Sequence, residues 1–365
     1  VLKNINRINI SLEKMMKMLN YGKTNSFSEV ILGLPGDTKE AHFKSMFDMI
    51  DGDVNVVRSH QLLMLPGAEI ASKKTREDFG MITRFRIQPK CFGNYEFFSE
   101  TFAACEIDEL CIGNKTMSYE DYIDCRCLDL TIEIFYNNGI FYELIRYLKN
   151  RGISTSLFIQ KIYERIHSSN LNEMYKDFIK ENETSLWESK EELEKFIKQP
   201  GMIENYIKNN LRNNEQLKYR AIGIFNKMKE LHEIAFSTAE SMLLERGLIP
   251  KESEYLKQLF IFSLLKKNNL LSVDDRKKEK FNFDFIKLSE QDFKCNPLSF
   301  YSEKELIMEF YHSEEQKKLI KEYLVQFGSS INNLGFMLSR SHVNKFYRKI
   351  SYDSVGSALP CQEIA

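Results

Sequence analysis

The chain has 365 residues with 51 basic and 52 acidic side chains, a balance that leaves no net field to draw it onto nucleic acid or an anionic membrane. Its seven cysteines are scattered and odd in number, which argues against a disulfide framework, and no apolar stretch approaches the roughly 18 residues of a transmembrane helix. No signal-peptide pattern opens the chain, so a cytoplasmic protein of two or three domains is expected, and sixteen glycines with seven prolines point to long helices.

Val1-Leu-Lys-Asn-Ile-Asn-Arg7, followed by Ile8, Leu12, Met15, Met16 and Leu19, reads as a strand end or loop feeding a helix that closes at Asn20, Tyr21 and Gly22. Two apolar runs follow, Ser28 to Gly33 and Gln61 to Leu65, and each ends in Leu-Pro-Gly, at Leu34 to Gly36 and Leu65 to Gly67. Between them Asp37 as N-cap and Glu40 make a capping-box pattern. Phe43, Met46, Phe47 and Ile50 share one helical face, and Gly52 stops the helix before Val54, Val56 and Val57 lead into the second strand. Strands joined by a crossover helix are parallel, and short apolar strands suit a sheet buried on both faces. Both Pro-Gly turns then stand at the carboxyl ends of neighbouring strands, where α/β folds keep their ligands.

From about Ser118 the pattern is mostly helical. Ser118 and Asp121 cap a run through Phe135, Asn137-Asn-Gly139 breaks it, and a second helix reaches Asn150. Leu171, Met174, Tyr175, Phe178 and Ile179 form a core-facing stripe, continued by Phe196, Ile197, Ile203, Tyr206 and Ile207 around Pro200-Gly201. Leu256, Leu259, Phe260, Phe262 and Leu264 mark a central helix, and Phe281, Phe283 and Phe285 one short strand near residues 281–287. Ser302 with Glu305 reads as the capping box of a last long helix that ends at Gly328. Arg340, His342, Lys345, Arg348 and Lys349 surround Phe346 and Tyr347, either a patch for RNA or a solvated terminal helix face.

On these residues the chain resembles a known family. Val1-Leu-Lys-Asn-Ile-Asn-Arg7, Ser28-Glu-Val-Ile-Leu-Gly-Leu-Pro-Gly-Asp-Thr38 and Leu65-Pro-Gly67 resemble the second half of a radical S-adenosylmethionine (radical SAM) core, in the branch of methylthiotransferases and cobalamin-binding enzymes. Arg86-Ile-Gln-Pro-Lys-Cys-Phe-Gly-Asn-Tyr95 and Lys115-Thr-Met-Ser-Tyr-Glu-Asp-Tyr122 resemble the cobalamin-binding branch, so the resemblance covers roughly residues 1–150. It implies a (β/α) barrel, reductive cleavage of S-adenosylmethionine by a [4Fe-4S] cluster fed by an external electron donor, and radical chemistry on a substrate the sequence does not name. Cobalamin-dependent methyl transfer or rearrangement is among the reactions implied. By the same resemblance Arg7 grips the methionyl carboxylate, which a planar guanidinium does with two parallel hydrogen bonds. Glu29 contacts the cofactor's polar groups, and Gly33, on the strand face shared with Glu29 and Ile31, lets ligand touch backbone. Each residue also fits a plainer role: a solvated helix-start arginine, a rim carboxylate and a tight-turn glycine.

Two family signatures are missing. The Cys-x3-Cys-x2-Cys loop that holds the cluster is absent, since Cys91, Cys105, Cys111, Cys125, Cys127, Cys295 and Cys361 never take that spacing, and so is the cobalamin-binding Asp-x-His-x2-Gly. Both would lie upstream of the strand preceding Val1, so the chain is expected to be the carboxyl-terminal part of a longer protein and to hold no cluster alone. Cys125-x-Cys127 and the Cys105/Cys111 pair lack a zinc-site pattern and read as reduced thiols. His60 or Gln61, within Arg58-Ser-His-Gln61, points into a substrate cavity or is structural. Gly-x-Gly-x2-Gly, Walker, Gly-x-Ser-x-Gly and His-Glu-x2-His patterns are all absent.

The expected architecture is α/β. A remnant of a partial (β/α) barrel occupies residues 1–95, an α/β extension with connecting helices residues 96–150, and a mostly α-helical domain residues 151–365. With barrel strands missing, residues 1–150 are expected to be loosely structured in isolation while the remainder folds. The rival to the enzyme is a non-catalytic helical interaction module that retains half a barrel as scaffold.

Overall fold

A computed structural model describes residues 26–208 and 214–353; Arg7 and the opening helix lie outside the described residues. Strand β1 (Phe27–Leu32) runs parallel to β2 (Val56–Gln61), with Phe27 beside Val56 and Leu32 beside Gln61. Helix α1 (Lys39–Asp51) is the crossover. It starts one residue later than the Asp37 pattern suggests: the Asp37 carboxylate accepts from its neighbour's amide, and Thr38 is the cap, its Oγ1 accepting from the Ala41 amide at 3.1 Å. Leu32 and Val57 join Met46 and Ile50 in the core, whereas Phe27, Glu29 and Ile31 are exposed. The expectation of a sheet buried on both faces is therefore corrected, because among the described residues helices cover only one of them.

Short α2 (Lys73–Phe79) stops at Gly80 in the left-handed conformation. A long antiparallel hairpin follows, β3 (Ile82–Phe97) and β4 (Glu100–Gly113). Its base continues the parallel pair, for Cys111 N donates to the Leu62 carbonyl at 3.0 Å and Met64 N to that of Glu109 at 2.9 Å. The two-stranded pairs β1-β2 and β3-β4 are thus linked by a single antiparallel bridge, Leu63 with Leu110, and the far edge is extended by Trp187, which exchanges two backbone hydrogen bonds with Phe85. The result is a mixed α/β fold in which no sheet closes into a barrel among the described residues.

Helix α3 (Tyr119–Phe135) opens on the Ser118–Asp121 capping box read from the sequence, with both reciprocal hydrogen bonds present. Every residue from Cys125 to Phe135 is buried, which makes α3 the central element. A 3₁₀ turn at Asn137–Gly139 breaks the run, and α4 (Tyr142–Asn150) ends where expected. Helices α5 (Thr155–Arg165), α6 (Asn172–Thr184), α7 (Lys190–Ile197), α8 (Met202–Lys208), α9 (Glu215–Ala221), α10 (Met228–Leu244) and α11 (Pro250–Lys267) follow. The Met174, Tyr175 and Phe178 stripe is buried on α6, as are Leu256, Leu259 and Phe262 on α11.

Strands β5 (Lys277–Phe283), β6 (Tyr301–Tyr311) and β7 (Lys349–Tyr352) form an antiparallel sheet in that order. Two expectations are corrected here. Phe285 leaves the strand to open α12 (Phe285–Glu290), capped by Asp284. Ser302 and Glu305 cap no helix, since they lie in β6, where Met308 and Phe310 alternate into the core. The capping box is Ser313 with Gln316, at the start of α13 (Glu314–Phe327), which does end at Gly328. Helix α14 (Ile331–Arg340) completes the described chain before β7.

One cluster of buried apolar side chains runs from Leu32 to Tyr347. It includes Leu144 and Leu148 on one side of residue 151 and Ile153, Phe158 and Ile159 on the other, so the core does not part where a separate helical domain was expected to begin. No helix among the described residues is long and apolar enough to cross a membrane.

Candidate functional site

The repeated Leu-Pro-Gly is a repeated turn. Asp37 N returns to the Leu34 carbonyl at 3.0 Å and Ala68 N to that of Leu65 at 3.1 Å. Gly36 has φ +81° and Gly67 φ +85°. Proline second and a positive-φ glycine third is the type II turn. The first stands at the carboxyl end of β1 and the second just beyond β2. Asn114, past the end of β4, pins the first turn: its Nδ2 donates to the carbonyls of Gly33 at 3.4 Å and Leu34 at 3.3 Å. The Thr116 hydroxyl adds a hydrogen bond to the Asp37 carbonyl at 2.6 Å.

Below the turns lies a face of β1 and β2 that no other described element covers. Glu29 Oε1 sits 2.9 Å from His60 Nε2, and the two side chains are 52% and 54% exposed. Arg58 lies over the Phe27 ring at 5.4 Å and its Nε reaches Glu133 Oε1 of α3 at 3.2 Å. A carboxylate, an imidazole and a guanidinium therefore share one strand pair. Gly33 does not share that face. It follows β1 with φ +92°, is buried, and would bring a Cβ within 3.4 Å of the Cys111 carbonyl. Its lack of a side chain answers to the backbone bend and to the approach of β4.

Gln61 turns away from His60. Its Nε2 donates to the Tyr122 hydroxyl at 2.6 Å and its Oε1 accepts from Arg86 at 2.9 Å. Arg86 in turn faces Asp108 at 3.6 Å and Glu215 at 3.7 Å. Arg86 and Tyr122 are the outer residues of the two segments that resemble the cobalamin-binding branch, so those segments meet in a polar seam between sheet and helices. The sequence reading singled out neither residue, and only the segments' resemblance signalled them.

Behind the first turn, His42 Nε2 of α1 lies 3.0 Å from Asp129 Oδ1 of α3, both buried. Burial alone would lower the imidazole's pKa, but the charge and hydrogen bond of Asp129, with Asp37 nearby, raise it. Burial pushes the Cys125 and Cys111 thiols up and takes Cys127 to about 12, which leaves them protonated and unreactive. The cysteines among the described residues are free, Cys361 lies outside them, and no three His, Cys, Asp or Glu of the described residues gather as a metal site.

A second polar cluster, with no signal in sequence spacing, is sealed among α4, α10 and α11. Lys267 donates to Glu143 Oε2 at 2.5 Å, the Ile140 carbonyl at 2.5 Å and Ser263 Oγ at 3.0 Å. His232 Nε2 lies 3.0 Å from the same hydroxyl, and burial, aided by the Lys267 charge, drops its pKa to about 3. The cluster has no opening for a ligand, so its work is to hold three helices together.

The basic–aromatic patch near the carboxyl end does not assemble. Phe346, Tyr347 and Arg348 are buried, and Arg348 donates to the carbonyls of Leu265 and Asn268, each at 2.7 Å. Nor is it a helix face, because Val343–Phe346 is a 3₁₀ turn running into β7. A cleft of about 620 Å³, lined by Ser26, Asn55, Tyr142, Arg146 and His342, lies at the amino ends of β1 and β2, opposite the Pro-Gly turns. The arrangement is that of a mixed α/β protein whose turns and open strand face form its candidate site. The chain matches no family model and no curated protein.

Proposed function

We propose that the chain is part of a radical SAM enzyme, and that the open face of β1 and β2 is the section of its core that meets S-adenosylmethionine. The observation that carries the reading is the parallel β1-α1-β2 unit, with a type II Pro-Gly turn beyond each strand and an uncovered face bearing Glu29 and His60. A half-exposed carboxylate on that face suits the amine or ribose hydroxyls of the cofactor, and His60 orients it. Arg7 takes the methionyl carboxylate in this reading, while Gly33 lets β1 turn against β4. If both are bound in the longer protein, a [4Fe-4S] cluster would supply the reducing electron and S-adenosylmethionine the radical chemistry, while Glu29, His60 and Arg7 would hold the cofactor in place. The described residues do not fit the cluster itself, for no donor set gathers; its ligands belong upstream of Val1, and no role here depends on them. Cobalamin, an external electron donor and a cytoplasmic setting complete the proposal.

The test is anaerobic expression with the coding sequence upstream of Val1, followed by iron content, S-adenosylmethionine affinity and dithionite-dependent release of 5′-deoxyadenosine. Arg7→Ala should weaken S-adenosylmethionine binding by about 1.5–3 kcal/mol, the size of one charge-assisted interaction, and leave the cluster intact. Arg7→Lys should recover only part, and Glu29→Gln should weaken binding without changing iron content. A cluster-loaded protein that releases no 5′-deoxyadenosine, with affinity unchanged by Arg7→Ala, would overturn the reading.

A further inference from the structure

The tip of the β3–β4 hairpin gathers four exposed aromatic side chains. Tyr95, Phe97, Phe98 and Phe102 are 51%, 64%, 86% and 49% exposed. The register places Tyr95 opposite Phe102, Phe97 opposite Glu100 and Gly93 opposite Ala104, so these six side-chain positions share one face. Helix α8 packs against both strands, and Tyr206 meets Phe92 edge-on at 5.9 Å. Phe92 belongs to the opposite face, so the aromatic face has no cover among the described residues.

The rings on it are already arranged. Tyr95 and Phe102 stack at 5.9 Å, Phe97 and Phe98 meet at 4.3 Å, and the Tyr95 ring leans over Gly93, 3.8 Å from where a Cβ would stand. The charge is one-signed: between Asn94 and Glu106 the sequence holds Glu96, Glu100 and Glu106 and no lysine, arginine or histidine. All three carboxylates are exposed, and none has an ion-pair partner among the described residues. Beside them no described residue pairs with the outer edge of β4 from Thr101 to Ile107, because the segment after β2 reaches β4 only at Glu109 and Cys111.

We propose that this tip is a docking surface for a basic segment of another protein, an extended stretch in which lysine or arginine alternates with apolar side chains. Its cations lie over the Tyr95–Phe102 pair, where a ring face attracts positive charge, and pair with Glu100 and Glu106, which share that face. Its backbone adds to the open edge of β4, as extended peptides add to exposed sheet edges. Charge complementarity selects this occupant. A second copy of the chain would set glutamate against glutamate, and an anionic bilayer or nucleic acid would meet the carboxylates of Glu100 and Glu106 on that face.

The probe is a short fluorescein-labelled peptide alternating arginine with leucine and valine, titrated into the full chain beside a matched peptide with glutamate for arginine. Saturable binding of the basic peptide alone is expected, weakening with added salt. Tyr95→Ser/Phe102→Ser and Glu100→Lys/Glu106→Lys should each weaken it about tenfold, the scale of a desolvated cation–ring contact, with circular dichroism and melting unchanged because the tip lies outside the core. No binding, equal binding of the acidic peptide, or indifference to both variants overturns the proposal. So does sedimentation as a dimer that either variant dissolves, which assigns the tip to a second copy, or flotation with anionic vesicles, which assigns it to a membrane.

Discussion

Replacing Lys267 by methionine keeps the length of the side chain and removes only the ammonium. The group is fully buried, and burial lowers its pKa to about 8, so it is charged at neutral pH. Burial would raise the Glu143 carboxyl, but the charges of Lys267 and Lys266 overcome this and hold it at about 2. In Lys267→Met, Glu143 stays buried with Lys266, 3.5 Å from Oε1, as its remaining cation, and the Ile140 carbonyl loses its donor. Breaking one side of a buried pair typically costs about 3–5 kcal/mol, whereas removing both charges together is often close to neutral. Lys267→Met should therefore lower stability by about 3–5 kcal/mol, and Lys267→Met/Glu143→Leu should be at least about 2 kcal/mol more stable than that single variant. Urea unfolding at neutral pH, with midpoints and slopes for wild type, both singles and the double, measures this. A loss below about 1 kcal/mol in Lys267→Met, or a double variant as unstable as the sum of its singles, would show that the pair does not act as a unit.

Three further outcomes are expected. The folded pKa of His42 is raised, so the stability from its pair with Asp129 is fully present below the unfolded value near 6.5 and is lost as pH rises through the folded pKa. Wild type should lose more stability than His42→Gln between about pH 6 and pH 9 in urea titrations, and equal slopes would dismiss the pair as a pH-dependent contact. Gly33→Ala should cost about 1–2 kcal/mol in thermal melts, because alanine is strained at φ +92° and its Cβ presses on the Cys111 carbonyl; an unchanged melt would refute that account of the glycine. Arg348→Ala strands the carbonyls of Leu265, Asn268 and Asn269 and should cost about 2–4 kcal/mol, with Arg348→Lys recovering only part. An Arg348→Ala protein as stable as wild type would return the residue to the surface patch.

What could be read from the sequence was local. The Ser118–Asp121 box, the break at Asn137-Asn-Gly139 and the end of α4 at Asn150 each depend on a few adjacent residues. The hairpin was hidden because Pro89 and Lys90, the latter at φ +62°, shift the register between Ile87 and Phe92 and break the period-two pattern. Ser302 and Glu305 satisfied a helix rule, but Phe281 and Ile350 pair with Leu306 and Phe310 from far along the chain and decide for β6. At the candidate site the turns and Glu29 were legible. The contact with His60 was not, since it needs the parallel register that sets Ile31 beside His60. Lys267 and Glu143 are 124 positions apart, beyond any motif spacing.

The span of the main core has a consequence for how this protein is made. Leu32 leaves the ribosome more than 300 residues before Phe346 and Tyr347, which complete the same cluster. At the roughly 5–20 residues per second of synthesis, the apolar faces of α1 and α3 wait tens of seconds for their last partners. Nascent chains of this kind are clients for chaperones, and a stop codon anywhere before β7 yields a protein with its central helices unsealed rather than a shorter working one.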